Sequence, residues 1–421
     1  MKDIYIVNGC RTAIGNFGGS LKDVSAAELG AVVTKEVMKR ADISPELVDE
    51  VIFGCVLTSG VGQNVARQIS VKAGIPYSVP SYTVGMLCGS GMKSVIEGAR
   101  AILTGDAQLV ICGGTENMSS TPFLSLNSRW SIRMGDGKVV DSLLRDGLND
   151  SFYHCHMGTT AENISDIWGV SRKEQDEFAV RSQNKAEAAR MSDRFADEIV
   201  EVPIKTKKGV VLFQADEFPK AGVTVEKISG LRGAFPLGID SPVPNVIHTF
   251  EPTGIQDACD KGVQRVTAAN ASGISDGAAA ILLASEQAVE KHGLKPMAKL
   301  IGWGQGGVDP RIMGVGPVPA VRAALAKART TIDEIDLIEA NEAFAAQSIA
   351  VGRELAFDPE KLNVNGGAIS LGHPIGASGA RIIVTLLHEM IKRPTANKGL
   401  ATLCIGGGMG TAVVVEKCVP D

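Results

Sequence analysis

The sequence predicts an α/β protein with a layered, mostly parallel sheet whose core consists of two similar halves. Apolar strands alternate with helical segments toward both ends of the chain, a pattern typical of such sheets. Glycine contributes 48 of the 421 residues, well above a usual share of about 7%, which fits a core with many tight turns. Three motifs of the first half recur in the same order in the second half, which indicates an internal duplication.

The predicted elements of the first half alternate in type. In order they are a strand at 4–8, a helix at 26–40, a helix end and strand at 48–54, a glycine-terminated helix at 64–74, a strand at 81–84, a helix at 94–103 and a strand at 108–114. The recurring motifs are 48–53, 89–91 and 110–114, which resemble 332–338, 377–379 and 403–407. Their common order, rather than any single match, supports the duplication.

The alternation stops between residues 119 and 275. This region has a polar loop with Arg129 and Arg133, a helical pattern at 159–189, short strand-like pieces and a proline-rich segment at 236–252. We interpret it as a loop domain inserted into the layered core, because long irregular segments are usually functional. The predicted domains are an N-terminal half at 1–118, completed by about 276–296, a loop domain at 119–275 and a C-terminal half at 297–421.

Composition excludes several classes of protein. The net charge of −5 argues against a nucleic-acid-binding face. The eight cysteines form no C-x-x-C pair, so no metal site is expected and the thiols are expected to be reduced inside a cell. The N-terminus has no signal-peptide pattern and no run is long enough to span a membrane. The sequence therefore predicts a cytoplasmic protein without membrane or nucleic-acid partners.

One cysteine lies where an extended run turns into a helix. Cys88 follows the strand at 81–84 and precedes Gly89, Ser90 and Gly91. Unpaired N–H groups and the positive end of the helix dipole favour a thiolate, so Cys88 is placed to be a nucleophile. The alternative is a small buried cysteine at a tight turn, and this stretch does not separate the two.

The second half contributes three further candidates. His373 lies among five glycines at 363–379, where it could take a proton from a cysteine or merely hold the loop, and the glycine density favours catalysis. An apolar strand leads Cys404 to a glycine-rich turn whose N–H groups suit an oxyanion hole, although a buried cysteine at a strand end is common. Asn341 follows a strand. The simpler interpretation is that its side chain caps a turn, and the catalytic alternative is that it holds a water.

Two cysteines and one histidine on glycine-rich turns suggest acyl transfer combined with proton abstraction. In this hypothesis one thiol carries the acyl group, the histidine activates it and the second thiol moves a proton at carbon.

With these motifs in order, nearly the whole chain resembles the thiolase family, and specifically its biosynthetic acetyl-CoA acetyltransferases. The resemblance is carried by RTAIGNFGG at 11–19, VGMLCGSGMKS at 84–94, HMGTTAEN at 156–163, NASGISDG at 270–277, MGVGPVP at 313–319, NEAF at 341–344, GHPIGASG at 372–379 and CIGGGMG at 404–410. It implies the duplicated five-layered αβαβα thiolase fold with an inserted loop domain. It also implies a homodimer or homotetramer, acyl-CoA and CoA as substrates, and no tightly bound cofactor.

The resemblance also implies roles for single residues. Cys88 would take the acyl group, His373 would activate it, and Cys404 would exchange the α-proton. Asn341, through a water, and His373 would form one oxyanion hole, and the N–H groups of Cys88 and Gly406 the other. The implied coenzyme A contacts are Leu148, His156, Met157, Lys220 and Ser272, with Phe235 and Phe344 as walls of the pantetheine tunnel.

Two departures from the family pattern stand out. Lys220 takes a position where the family often has arginine, which keeps the charge but loses the planar fork. A stretch at about 236–265 is extra. It is either a neutral surface insertion, since long loops cost little, or a segment that reshapes the acyl pocket or docks an additional protein subunit.

The resemblance predicts reversible, CoA-dependent cleavage or condensation of a 3-oxoacyl-CoA through an acyl-cysteine, with acetoacetyl-CoA as the default substrate. The alternatives are a thiolase for a bulkier aromatic, branched or dicarboxylic acyl group, and a non-catalytic CoA-binding subunit. A decarboxylating ketosynthase is disfavoured because Cys404 stands where those enzymes use a second histidine.

Overall fold

A computed structural model describes residues 3–237 and 262–418 of the chain. The strands are β1 (Ile4–Thr12), β2 (Gly15–Asn16), β3 (Glu50–Gly54), β4 (Ser81–Val84), β5 (Leu109–Asn117), β6 (Phe123–Leu124), β7 (Val140–Asp141), β8 (Ile199–Val200), β9 (Val202–Thr206), β10 (Gly209–Phe213), β11 (Ser275–Ser285), β12 (Ala298–Gly307), β13 (Leu337–Ala340), β14 (Lys398–Ile405) and β15 (Met409–Lys417). The helices are α1 (Ala26–Arg40), α2 (Val65–Lys72), α3 (Ser90–Thr104), α4 (Ser128–Ser131), α5 (Met157–Ile167), α6 (Arg172–Met191), α7 (Val225–Ser229), α8 (Glu286–His292), α9 (Pro317–Ala328), α10 (Ala345–Leu355), α11 (Ala368–Leu371) and α12 (Ile375–Lys392).

The main sheet of the described residues is mixed and runs in the order β13-β14-β15-β12-β1-β11-β5-β3-β4, with β2 beside β11 and β8 beside β1. Its two parts meet at a short junction, where only Tyr5 and Ile6 of β1 pair with Lys299 and Ala298 of β12. The parallel pairs β3–β4, β3–β5 and β13–β14 lie toward the two ends of the sheet, and β8 pairs with β1 in parallel. The other pairs are antiparallel, so the prediction of a mostly parallel sheet is wrong. The strands thus form two blocks that are joined at one corner.

Three apolar clusters show how the layers stack. Helices α1 and α2 pack on β1, β3, β5 and β11 in one cluster, and α9 and α10 pack with β13, β14 and β15 in another. Between the blocks, α3 and α12 share a third cluster with strands of both. The order helix, sheet, helix, sheet, helix is the predicted αβαβα arrangement, and β1 and β11 are largely buried, as strands between two helical layers must be.

Glycines allow the two central helices to touch at their N-terminal turns. A Cβ on Gly91 of α3 would lie 2.8 Å from the backbone N of Ala380, and a Cβ on Gly379 of α12 would lie 2.4 Å from the N of Met92. Side chains at these positions would push the helices apart. The turns that precede α3 and α12 therefore open onto one shared space, as the repeated motifs predict.

The loop region differs from the prediction in one element. The helical pattern at 159–189 is not one helix but two, α5 and α6. Gly169 adopts φ +59°, and Ser171 caps α6 by accepting a hydrogen bond from the N–H of Glu174, whose side chain returns the bond. The prediction missed this break although local signals mark it, namely Gly169, the Ser171–Glu174 capping box and the polar run at 171–177.

Most of the extra stretch at 236–265, namely residues 238–261, lies outside the described residues. Its two flanks meet, because Ala234 donates a backbone hydrogen bond to Val266 O at 2.8 Å and Gln264 Nε2 donates to Phe235 O at 2.5 Å. The stretch therefore leaves and rejoins the fold at one point beside Phe235.

Neither a membrane-spanning helix nor a metal-binding group of side chains occurs among the described residues. None of the helices there has the length and apolar character needed to cross a membrane. No three His, Cys, Asp or Glu side chains there are grouped as a metal-binding set.

Candidate active site

The turn that carries Cys88 is held in an uncommon backbone conformation. After β4, a short 3-10 turn spans Leu87–Gly89 and leads directly into α3. Leu87 adopts φ +44°, a region that residues other than glycine rarely occupy. The Ser90 hydroxyl accepts from Met86 N at 2.8 Å and donates to Leu87 O at 2.7 Å, which clamps the turn. Strain stabilised by local hydrogen bonds is typical of functional turns.

The tendency of the helix start to favour a thiolate at Cys88 is opposed by burial. Burial raises the pKa of its thiol to about 11, although hydrogen bonding from the backbone of Gly406 and of Cys88 itself acts in the opposite direction. Removal from water destabilises the thiolate more than the hydrogen bonds from these N–H groups stabilise it. The thiol is therefore neutral until a base takes its proton.

The imidazole of His373 is fixed in one tautomer by its neighbours. His373 N donates to Gly273 O at 2.9 Å, and Nδ1 lies 2.6 Å from the hydroxyl of Ser378. That hydroxyl donates its single proton to Pro374 O at 3.0 Å, so it accepts from Nδ1–H. The other ring nitrogen, Nε2, consequently carries a free lone pair.

His373 is a neutral base. Burial lowers the pKa of His373 to about 3, and the nearby Arg381 cation acts in the same direction. Its Nε2 is buried and has no hydrogen-bond partner within the described part of the chain. A lone pair held in a dry site without a partner is suited to accept a proton from a thiol.

Cys404 and Gly406 enter the site from the end of β14. Cys404 is fully buried and pairs across the ladder with Gly410 of β15. Burial raises the pKa of this thiol, and a negative charge on Cys88 raises it further. The thiol of Cys404 is therefore protonated when Cys88 reacts, which makes it a proton donor.

Asn341 lies behind the histidine. It follows β13, its backbone N donates to Thr402 O at 3.0 Å, and its side chain is buried. Its Nδ2 is 3.5 Å from His373 Nδ1, and its Oδ1 has no hydrogen-bond partner among the described residues. Asn341 does not line the main cavity and contacts it through the histidine.

A cavity of about 710 Å³ joins these turns to the loop region. Cys88, His373, Cys404 and Gly406 line its inner end. The remaining predicted residues that line it are Leu148, His156, Met157, Lys220, Phe235, Ser272 and Phe344. Every predicted site residue except Asn341 therefore lines this cavity, and Asn341 contacts His373, which does line it.

Aromatic rings shape the passage to the thiols. His156 stacks on Phe235 with ring centroids 4.6 Å apart, and Phe235 meets the edge of Phe344 at 6.1 Å. Gly158 permits this stack, since a Cβ there would lie 2.2 Å from the Phe235 ring. Such a ring-lined passage suits a long, flexible and largely apolar ligand arm.

Several residues that hold the site were not among the predicted site residues. They are Ser90 and Ser378, which fix the Cys88 turn and the His373 tautomer, and Glu116, whose contacts are described below. Ser378 could have been found, because it lies in the repeated 377–379 motif five residues beyond His373. No local pattern marks Glu116, whose partners come from distant parts of the chain.

The buried thiol predicts a distinct pH dependence. Alkylation of Cys88 by iodoacetamide is expected to rise with pH toward the raised pKa of about 11, because the thiol must give up its proton to react. In His373→Ala the reaction should be slower at each pH, since no neighbouring base takes the proton. Equal alkylation rates with and without the imidazole would contradict a general-base role.

Comparisons with known proteins identify the family. Residues 4–238 match the family description "Thiolase, N-terminal domain", and residues 294–417 match "Thiolase, C-terminal domain". An acetyl-CoA acetyltransferase of Syntrophomonas wolfei is 52% identical over 419 residues, covering 99% of both chains. The cytosolic acetyl-CoA acetyltransferase of Mus musculus is 48% identical over 414 residues, covering 98% of both.

Solved structures show the same fold. The crystal structure of the Bacillus anthracis acetyl-CoA acetyltransferase superposes with a TM-score of 0.90 at 41% identity, covering 99% of both chains. Human mitochondrial 3-ketoacyl-CoA thiolase in complex with CoA superposes with a TM-score of 0.88 at 39% identity, covering 99% of this chain and 98% of the other. The chain belongs to the thiolase family.

Proposed function

We propose that this chain is an acyltransferase that interconverts acetoacetyl-CoA plus CoA with two molecules of acetyl-CoA. One observation carries the proposal: two thiols, a neutral histidine with a free Nε2 and the backbone of Gly406 meet at the inner end of one ring-lined cavity. Relatives about 50% identical over the full length bear the name acetyl-CoA acetyltransferase.

In the first half-reaction Cys88 becomes acylated. His373 Nε2 takes the thiol proton, and the sulfur attacks the 3-oxo carbon of acetoacetyl-CoA. The developing oxyanion is stabilised by the N–H groups of Cys88 and Gly406. The C2–C3 bond then breaks, its electron pair stays on C2 of the departing acetyl-CoA, and the Cys404 thiol gives C2 a proton.

In the second half-reaction CoA removes the acetyl group. The thiolate left at Cys404 accepts the proton of incoming CoA, whose sulfur attacks the acyl-cysteine. His373 returns its proton to Cys88 as the thioester breaks. In the first half-reaction, His373 and Asn341, whose buried side chain is held against the ring, stabilise the negative oxygen that develops on C1 when the C2–C3 bond breaks. The reverse sequence condenses two acetyl-CoA molecules.

The loop region at 119–275 is proposed to hold coenzyme A. The stacked rings of His156 and Phe235 would line one side of the pantetheine arm, and Ser272 is brought beside Phe344 because its backbone N donates to Ala343 O at 2.9 Å. Lys220 is exposed at the rim of the cavity, where a cation would attract the phosphates of CoA. The reacting groups lie in the two halves of the core, whereas most of the proposed coenzyme A contacts lie in the loop region. This separation supports the proposed domain boundaries.

Location and assembly are proposals of the same kind. We propose a cytoplasmic homo-oligomer, a dimer or tetramer, because relatives in mouse and rat carry the word cytosolic in their names and the family resemblance implies an oligomer.

The proposal is tested by thiolysis assays with acetoacetyl-CoA and with long-chain, branched and aromatic 3-oxoacyl-CoAs. Apolar residues crowd the thiols, with Met118, Leu148 and Ile375 on one side and Met157 and Met313 on the other. We therefore expect kcat/KM for acetoacetyl-CoA to exceed that for the larger substrates by at least about tenfold. A higher kcat/KM for a bulky substrate would contradict the assignment.

A further inference from the structure

A buried carboxylate joins the two halves of the core directly behind the site. Glu116, near the end of β5, is fully buried, and Oε2 accepts from Val56 N at 3.0 Å and from Gly376 N at 2.8 Å. Its Oε1 accepts from Leu57 N at 3.0 Å and from the Cys55 thiol at 3.5 Å. One side chain therefore ties the loop after β3 to the first turn of α12.

Both ends of this bridge border reacting groups. Leu57 and Val56 pack in the same apolar cluster as Cys88, and Gly376 is three residues beyond His373. The turn between them is rigid, because Ala377 N and Ser378 N both donate to Pro374 O at 2.9 Å. A displacement of the Gly376 N–H is therefore transmitted to the imidazole.

The atoms around the Glu116–Gly376 contact are closely packed. A Cβ on Gly376 would lie 2.5 Å from Glu116 Oε2, and a Cβ on Gly114 would lie 2.2 Å from Gly376 O. The helix start thus rests on the backbone of β5 as well as on the carboxylate. A glutamine side chain would fit this volume but would turn an NH₂ group toward backbone N–H donors on one side.

The charge of Glu116 does not explain its place beside the site. A negative charge there raises the pKa of the Cys88 thiol, which opposes formation of the nucleophile. Burial also disfavours the ionised form of Glu116 itself, whose pKa is raised to about 7. A group that is costly to bury and electrostatically unfavourable to the reaction must contribute through geometry.

We propose that Glu116 is a positioning residue that sets the place of the His373 imidazole relative to the Cys88 thiol. It acts through the Gly376 N–H and the turn at 373–378, and it touches no substrate. The inference rests on the proposed function of His373 as the base for Cys88.

Glu116→Gln tests the proposal in the full-length protein. We expect acetylation of Cys88 by acetyl-CoA, followed by intact mass, to slow by about 10- to 100-fold, as small misplacements of reacting groups do. KM for CoA should stay within about twofold, because Glu116 does not line the cavity. In a His373→Ala background the same substitution should cause no further slowing, since neighbours that act as a unit are not additive.

Asp49→Asn is the matched control. Asp49 Oδ2 accepts from Gln108 N at 2.7 Å and Leu109 N at 2.9 Å at the opposite end of β5. Like Glu116→Gln, this substitution removes a carboxylate that accepts hydrogen bonds from backbone amides. Acetylation of Cys88 in this variant should match the unmodified protein. Gly376→Ala provides a second route to the same bridge if Glu116→Gln fails to fold, and the same split between acetylation and KM is expected.

Two results would overturn the proposal. One is equal slowing by Glu116→Gln with and without His373, and the other is an unchanged acetylation rate with only a lower melting temperature. Alkylation of Cys88 by iodoacetamide, run in parallel, needs no thiolase substrate. An unmodified protein that alkylates readily but does not cleave acetoacetyl-CoA would contradict the proposed function, while the alkylation rates would still report on Glu116.

Discussion

Replacement of Cys88 by alanine should abolish the acyl-enzyme and lower kcat for thiolysis by roughly 10⁴-fold or more, since loss of a nucleophile removes the covalent route. The turn around Cys88 depends on Ser90 and on the backbone of Leu87 rather than on the thiol. The variant should therefore fold and keep its cavity. Intact mass after incubation with acetyl-CoA, together with the thiolysis rate, measures both effects.

Cys418→Ser is the control for the loss of a thiol elsewhere. Cys418 is also a free cysteine, but it follows β15 at the opposite end of that strand from the Cys404 turn. This variant should acylate normally. An acetyl adduct that persists in Cys88→Ala would assign the nucleophile to another residue and refute the mechanism.

Replacement of Cys404 by alanine should separate the two half-reactions. Acetylation of Cys88 by acetyl-CoA should stay within about tenfold of the unmodified rate, because neutral His373 rather than Cys404 takes that proton. Exchange of the acetyl-CoA α-proton with solvent deuterium should fall by about 10²- to 10⁴-fold, as removal of a general acid–base group does.

Proton NMR of acetyl-CoA in D₂O measures the exchange, and intact mass measures the acylation. Cys112→Ala is a useful comparison, because Cys112 is another fully buried thiol on a central strand but lies outside the cavity. It should retain α-proton exchange. Unimpaired exchange in Cys404→Ala would show that a different group moves the proton.

The architecture was predictable from local patterns for clear reasons. Helix α1 begins and ends where the amphipathic period and the Ser25 capping box place it, and the chain alternates elements as a layered sheet requires. The repeated glycine motifs marked the contact of α3 and α12, since glycine at a helix start favours close approach. The break between α5 and α6 was missed although Gly169 and the Ser171–Glu174 capping box mark it in the sequence.

The chemistry of the site was only partly predictable. Residue types on glycine-rich turns identified Cys88, His373 and Cys404 as candidates. Whether Cys88 rests as thiol or thiolate depends on how much water reaches it, and burial outweighs the helix start. Local sequence could not indicate that balance, because the burying residues come from the loop after β3, from the loop region and from β14.

The sequence by itself determined the layered α/β fold, the family and the set of groups that carry out the chemistry, because each of these is encoded in short motifs and their order. The tertiary structure decided the neutral state of the Cys88–His373 pair and the bridge from Glu116 to Gly376. Those properties arise where segments hundreds of residues apart exclude water and share hydrogen bonds, so they depend on packing rather than on any stretch of the chain.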